Sequence, residues 1–302
     1  MKDFVDFSPE TTPPQAKKPG QPEPIPFKVH RKRMRDLLLQ ADIGPTLDDD
    51  IPESLLTDYE LDEDGLARNE KLQQKYIKRA RNIKRSWHRT RIYMPELMAK
   101  NVKPMDVLEL STAHGGMLEV ARHFGHNVMG TDYPNFIFSQ GKSGYKRLGK
   151  ETEAPMRALN DDTFSRTTDD YGIEISDNVQ YDWPYRYICE SVDLPMNVFD
   201  GGKTPYPFDD KSYDVLMCFQ AIEHYCHPDH WMDIVDEMCR ITRKSVFILL
   251  NQAHPKYKIQ PGYLASFEKA RRELAEYNAN GFTCMATFLR DREVLGFKLI
   301  AT

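Results

Sequence analysis

The stretch Val107-Leu-Glu-Leu-Ser-Thr-Ala-His-Gly-Gly-Met-Leu-Glu-Val-Ala-Arg-His-Phe-Gly-His-Asn-Val-Met-Gly-Thr-Asp132 decides the fold. The apolar run Met105–Leu110 reads as a buried strand, and small residues then form a turn. Gly116–Phe124 follows as an amphipathic helix with Met117, Ala121 and Phe124 on one face, stopped by Gly125, before a second strand, Asn127–Asp132. Parallel α/β folds use such a unit to hold an adenosine-containing cofactor: small side chains let the turn approach the ligand, and the acid ending the second strand can grip ribose hydroxyls. With Glu109 as the acid that ends the first strand, the usual glycine positions hold Ser111, Ala113 and Gly115. The sequence therefore has neither the G-x-G-x-x-G of a dinucleotide site nor a G-x-x-x-x-G-K-[ST] triphosphate loop.

An acid at the strand end, small residues at alternate positions and a second acid at Asp132 resemble the S-adenosylmethionine site of class I methyltransferases. A downstream block, Pro205-Tyr-Pro-Phe-Asp-Asp-Lys-Ser-Tyr-Asp-Val-Leu-Met-Cys-Phe-Gln-Ala-Ile-Glu-His-Tyr225, resembles their fourth-strand region, where a Pro-Phe-acid-acid turn leads into an apolar strand that often ends in Glu-His. The resemblance covers roughly residues 100 to 302. It implies an α/β protein with a Rossmann-like, seven-stranded, mostly parallel sheet closed by a C-terminal antiparallel hairpin, here with an N-terminal helical extension.

The rest of the chain fits that plan. Residues 1–26 hold seven prolines (Pro9, Pro13, Pro14, Pro19, Pro22, Pro24 and Pro26) and few large apolar groups, so they are expected to be a flexible tail. Residues 27–100 read as a charged helical extension. Lys28–Arg35 is basic, Asp48–Asp64 is acidic, and Lys71–Arg91 forms a second basic helix with Leu72, Tyr76, Ile83 and Trp87 along an apolar seam. Its cationic side is expected to be a solvated face that partly pairs with the acidic stretch; the alternative is a cap over the cofactor domain that attracts an anionic substrate.

Within 101–302, residues 136–184 look like an insertion, with a helix expected at Tyr145–Leu159. Further strands are expected between Tyr187 and Phe199, at Asp214–Phe219 and at Ser245–Leu250. Helices are expected from Pro228 through Ile241 and from Gly262 to Asn280, and a hairpin at Phe282–Leu289 and Glu293–Ala301.

The 302 residues, 40% hydrophobic, suffice for one large domain with an appendage. A formal charge of −5 argues against a protein that coats nucleic acid by charge alone. Five cysteines without a C-x-x-C pair read as reduced thiols of a cytoplasmic protein. The N-terminus has no signal-peptide pattern, and no apolar run is long enough to span a bilayer.

The resemblance also implies roles. Glu109 would orient the amino acid end of S-adenosylmethionine, Ser111, Ala113 and Gly115 would let the backbone approach it, and Asp132 would hold the ribose diol. Phe219 would contact the cofactor. For the adenine there are two candidates: Asp193, in a Val192-Asp-Leu194 that resembles the end of the third strand, and Asp200, nearer the usual distance before the Pro-Phe turn. Glu223 and His224 are the catalytic candidates: His224 would be a general base for an acceptor hydroxyl, or alternatively a structural strand end. Gln220-Ala-Ile-Glu-His224 resembles the Glu-x-x-Glu-His metal motif of some O-methyltransferases, with His254 available to complete a site. Gln220 replaces its first acid, however, and no metal is expected. The expected function is O-methylation of a small or glycan-like polar acceptor. The alternatives are an RNA or nucleotide methyltransferase using the basic helix, and an inactive cofactor- or partner-binding module.

Overall fold

The computed structural model describes residues 50–63, 78–99, 102–132, 185–199, 201–253, 262–290 and 292–302. The Pro-rich segment 1–26, the basic run 28–35, the whole expected insertion 136–184 with Tyr145–Leu159, and His254 lie outside the described residues.

Among the described residues the chain forms eight strands in one sheet: β1 Asp106–Leu110, β2 Asn127–Asp132, β3 Met196–Val198, β4 Tyr213–Phe219, β5 Thr242–Leu249, β6 Asn278–Ala279, β7 Phe282–Arg290 and β8 Glu293–Ala301. The spatial order is β3-β2-β1-β4-β5-β8-β7-β6. The first five in that order are parallel, β8 runs antiparallel to β5, and β7 and β6 continue antiparallel. This is the expected Rossmann-like sheet with its C-terminal hairpin. It has one strand more than the seven expected, because the helix expected to reach Asn280 stops at Ala275. Asn280 and Gly281 both have positive φ, 52° and 73°, and form a two-residue loop that pairs Asn278–Ala279 with Phe282–Thr283. An Asn-Gly loop with both residues left-handed is a preferred hairpin turn, and it outcompetes the last helical turn.

Among the described residues the α-helices are α1 Arg79–Tyr93, α2 Gly116–His123, α3 Arg186–Glu190, α4 Trp231–Ile241 and α5 Tyr263–Ala275. Strand alternation divides the core. Leu108, Leu110, Leu216, Cys218, Val246 and Ile248 face one side and pack with Trp231, Ile234, Met238 and Phe267 of α4 and α5. Val107, Val215, Met217, Phe219, Phe247 and Leu249 face the other side, with Met117 and Leu118 of α2 and Met94 and Leu97 just beyond α1. By the same alternation Glu109 falls on this second face.

Helix α1 docks on α2. Ile83 and Trp87, both fully buried, pack with Val120 and Phe124, and the Trp87 ring lies 5.4 Å from that of Phe124. Gly116 permits the approach, since a Cβ there would sit 2.7 Å from Ser86 Oγ. Truncating Trp87 to alanine would cost about 3–5 kcal/mol. The basic helix is not simply the solvated face its charge suggested. Arg79 and Arg91 are buried. Arg79 donates to Glu119 Oε2 through Nε at 3.0 Å and Nη2 at 2.5 Å, and through Nη1 to Thr57 Oγ1 at 2.5 Å and the Ser54 carbonyl at 3.2 Å. Its partners in the acidic stretch are thus a hydroxyl and a carbonyl, while the carboxylate comes from α2. The apolar seam sets this outcome: burying Ile83 and Trp87 carries the neighbouring arginines in, and a buried guanidinium needs partners.

Candidate functional site at the carboxyl edge

In an open parallel sheet, ligands bind beyond the carboxyl ends of the strands, beside the first β–α turn. Here that turn runs from Ser111 to Gly115. Ser111 and Ala113 both adopt φ +52° and Gly115 φ +73°, so all three positions where glycines were expected are left-handed. Serine and alanine there store about 1–2 kcal/mol of strain each, which the surrounding hydrogen bonds offset. Thr112 N–H donates to the Thr131 carbonyl at 2.8 Å, and Thr131 N–H to Thr112 Oγ1 at 3.0 Å. Thr112 Oγ1 in turn donates to the Glu109 carbonyl at 3.0 Å. Ala113 N–H donates to Asp132 Oδ2 at 3.2 Å, fixing the carboxylate at the end of β2 against the turn, and Ser111 Oγ lies 2.8 Å from the Tyr225 hydroxyl. Gly115 also has a packing reason to lack a side chain. A Cβ at that position would sit 2.1 Å from Leu194 Cδ1, so it is Leu194 that fills the space over the glycine.

Two acids flank this turn. Glu109 is 4% exposed, and its Oε2 has no hydrogen-bond partner. Burial raises its carboxyl well above the usual range and nearby Asp132 adds to this, while Arg89 and Arg85 oppose it. Both arginines come from α1. Arg85 Nη2 lies 2.5 Å from His114 Nε2, and Arg89 Nη2 donates to Gln220 Oε1 at 2.5 Å, with its guanidinium 5.6 Å from the centre of the Phe219 ring. Burial, then the charges of Arg85 and Arg290, pull Arg89 down to about 10. Burial and the same two α1 arginines push His114 down to about 3, so its imidazole is neutral.

At the end of β4, Gln220 is left-handed, with φ +58°, and its amide donates to Asn251 Oδ1 just past β5. Asn251 N–H donates to Glu223 Oε1. Glu223 is 5% exposed, its Oε2 has no partner, and burial lifts it to about 7 against the hydrogen bond from Asn251. The Glu-His pair stands on a short 3-10 turn, Ile222–His224, rather than on the strand itself, and the turn separates the two residues: Glu223 is buried and His224 is exposed.

The structure gathers Glu109, Ser111, Ala113, Gly115, Asp132, Phe219 and Glu223 along one edge. Asp193 is different. It is exposed, it precedes β3, and its carbonyl is bound by Arg122 from the last turn of α2. Val192-Asp-Leu194 therefore does not end the third strand; Met196–Val198 does. Asp200 lies outside the described residues. Sequence reasoning missed Arg85, Arg89, Tyr225 and Asn251. The spacing of Arg85 and Arg89, four apart on a helix, was the available signal, but nothing local aims them at this edge. Among the described residues no group of three or more His, Cys, Asp or Glu side chains could hold a metal ion, and no helix is long and apolar enough to cross a membrane.

No family model matches the sequence, and no curated protein is significantly similar to it. Solved structures do resemble the chain. One is a protein of Pyrococcus horikoshii OT3, at 15% identity and TM-score 0.41 over 77% of this chain and 93% of that one. A ribosomal protein L11 methylase of Lactobacillus delbrueckii subsp. bulgaricus matches at 13% identity and TM-score 0.38, over 71% and 79%. Magnesium protoporphyrin IX methyltransferase of Synechocystis PCC 6803 with bound SAH matches at 12% identity and TM-score 0.36, over 90% and 100%. At such identities the chain's own residues must carry a functional reading.

Proposed function

We propose that this protein is an S-adenosylmethionine-dependent methyltransferase acting on a hydroxyl of a small or glycan-like polar acceptor. The observation that carries the reading is Glu109: a buried carboxyl with an unpartnered oxygen, at the end of β1 and beside the left-handed turn that Asp132 secures. A carboxyl buried without a partner is costly unless a ligand supplies one. The ammonium at the amino acid end of the cofactor matches it in charge and hydrogen bonding. Asp132 would hold the ribose hydroxyls, and the backbone of Ser111–Gly115 would pass close to the cofactor. When bound, the cofactor supplies the methyl group.

Glu223 is better placed than His224 to accept the proton of an acceptor hydroxyl. Its unpartnered Oε2 is buried, and its value of about 7 suits a general base near neutrality, whereas His224 is exposed on its turn. Burial of Arg79 and Arg91 leaves less of α1 for a phosphate-binding surface and counts against the RNA reading. The left-handed Ser111 and Ala113 keep the turn in the conformation glycines would give it, which counts against a site that has lost its cofactor.

Calorimetric titration with S-adenosylhomocysteine tests the reading. Wild type should bind, and Asp132→Ala should lose about 1.5–3 kcal/mol of affinity while remaining folded. Unchanged affinity in the variant would refute the ribose assignment, and no binding by wild type would refute the function.

A further inference from the structure

The two cations that α1 delivers to the carboxyl edge, Arg85 and Arg89, rest on neutral groups. Among the described residues neither Arg85 nor Arg89 forms a salt bridge with a carboxylate: the partner of Arg85 is the imidazole of His114, and those of Arg89 are the amide oxygen of Gln220 and the face of Phe219. Arg290, from the end of β7, donates to the Leu250 carbonyl at 3.2 Å and adds a third positive charge that Arg89 senses.

Arg85 is also poorly served by its partner. A neutral imidazole has one acceptor nitrogen, yet two donors converge on His114: the Gly116 N–H, 3.1 Å from Nδ1, and Arg85 Nη2 at Nε2. One of them goes without a lone pair. Of the acids at this edge, Asp132 is tied to the Ala113 N–H, and burial raises both Glu109 and Glu223, the latter to about 7. The guanidiniums of Arg85 and Arg89 thus rest on weak neutral acceptors that a stronger one can displace.

We infer that Arg85 and Arg89 form a subsite for an anionic oxygen group, a carboxylate or a phosphate. The two residues lie one helical turn apart, four residues on, so they share a face of α1. They reach the sheet edge at two separate points, the β1–α2 turn through His114 and the end of β4 through Gln220. Guanidiniums bind carboxylate and phosphate oxygens through paired, charge-assisted hydrogen bonds that neither His114 nor Gln220 can match. The group has two possible sources, the carboxylate of the cofactor's amino acid end or an acidic group on the acceptor. Only this choice of source rests on the methyltransferase reading. If the acceptor is the source, it is a hydroxyl compound that also carries a carboxylate or phosphate.

The test is a calorimetric titration of the full chain with inorganic phosphate, at low ionic strength, in the absence and presence of saturating S-adenosylhomocysteine. Wild type should bind phosphate. The double variant Arg85→Gln/Arg89→Gln should bind it at least about tenfold more weakly, the loss expected for charge-assisted hydrogen bonds. Lys269→Gln/Arg272→Gln, exposed on α5 across the sheet, should leave it unchanged. Phosphate that binds equally well to cofactor-saturated protein assigns the group to the acceptor, and phosphate displaced by S-adenosylhomocysteine assigns it to the cofactor. NMR of the arginine side-chain N–H groups in wild type gives a readout that does not depend on a variant folding: the Arg85 and Arg89 signals should shift on adding phosphate. No phosphate binding by wild type, equal binding by the double variant, or unmoved arginine signals would overturn the inference. Absence of S-adenosylhomocysteine binding, by contrast, would overturn the methyltransferase reading and leave the phosphate comparison intact.

Discussion

Replacing Glu223 with glutamine should change the pH dependence of stability in a defined window. The carboxyl sits at about 7 in the folded protein against a reference of 4.5, with burial as the main cause. Because the folded value is raised, the protonated form is the one the fold favours. The stability it contributes is fully present below 4.5 and is lost as pH rises through 7. The 2.5-unit difference between these values, at 1.36 kcal/mol per unit, corresponds to about 3 kcal/mol lost between acid and mildly alkaline pH.

Glutamine retains an oxygen that can accept from Asn251 N–H but has no charge to desolvate. Wild type and Glu223→Gln should therefore have similar stability near pH 4.5, and the variant should be more stable near pH 8 by about 3 kcal/mol, several degrees in midpoint. Thermal or denaturant unfolding of both proteins from pH 4.5 to 8 measures this. Other titrating groups, Glu109 among them, are common to both proteins and largely cancel in the difference. Parallel stability curves would show that Glu223 is not held protonated, and its proposed role as a base near neutrality would fall with that.

Further outcomes follow from the packing. Gly115→Ala should destabilise the fold by about 1–3 kcal/mol, through its left-handed backbone and the collision with Leu194, and Gly115→Ala/Leu194→Ala should lose less than the sum of the two single variants; full stability of Gly115→Ala in denaturant would contradict the turn geometry. Glu119→Ala should cost about 3–5 kcal/mol by leaving Arg79 buried without its carboxylate, and a loss below about 1 kcal/mol in urea unfolding would mean that α1 does not depend on the pair.

Much of the architecture was legible because it rests on local rules. The span of β2 matched residue for residue, and β1, β4, α2 and the C-terminal hairpin agreed to within a residue or so, since strand alternation, the helical apolar face and the Gly125 stop are all written locally. Helical periodicity alone carries α5 on to Asn280, whereas the Asn280-Gly281 turn competes with it and the helix stops at Ala275. Glu109 and Asp132 stand out in the sequence because the strand ends mark them. Arg85 and Arg89 read in the sequence only as part of a basic run, since their direction is set by Trp87 and Ile83 docking on α2, a tertiary contact with no local signature. Asp193 was misplaced for a related reason. The strand it was thought to end begins three residues later, and α3 occupies part of the region searched for it. The different burial of adjacent Glu223 and His224 depends on a single 3-10 turn, which the Glu-His pattern does not encode.

The most direct test of the central claim is the structure of the protein crystallised with S-adenosylhomocysteine. The ligand should lie along the carboxyl edge of β1 and β2, with its ribose hydroxyls on Asp132 and its amino group within hydrogen-bonding distance of the now unpartnered Glu109 Oε2. Density elsewhere on the molecule, or a ligand at this edge that leaves Glu109 without a partner, would contradict the account.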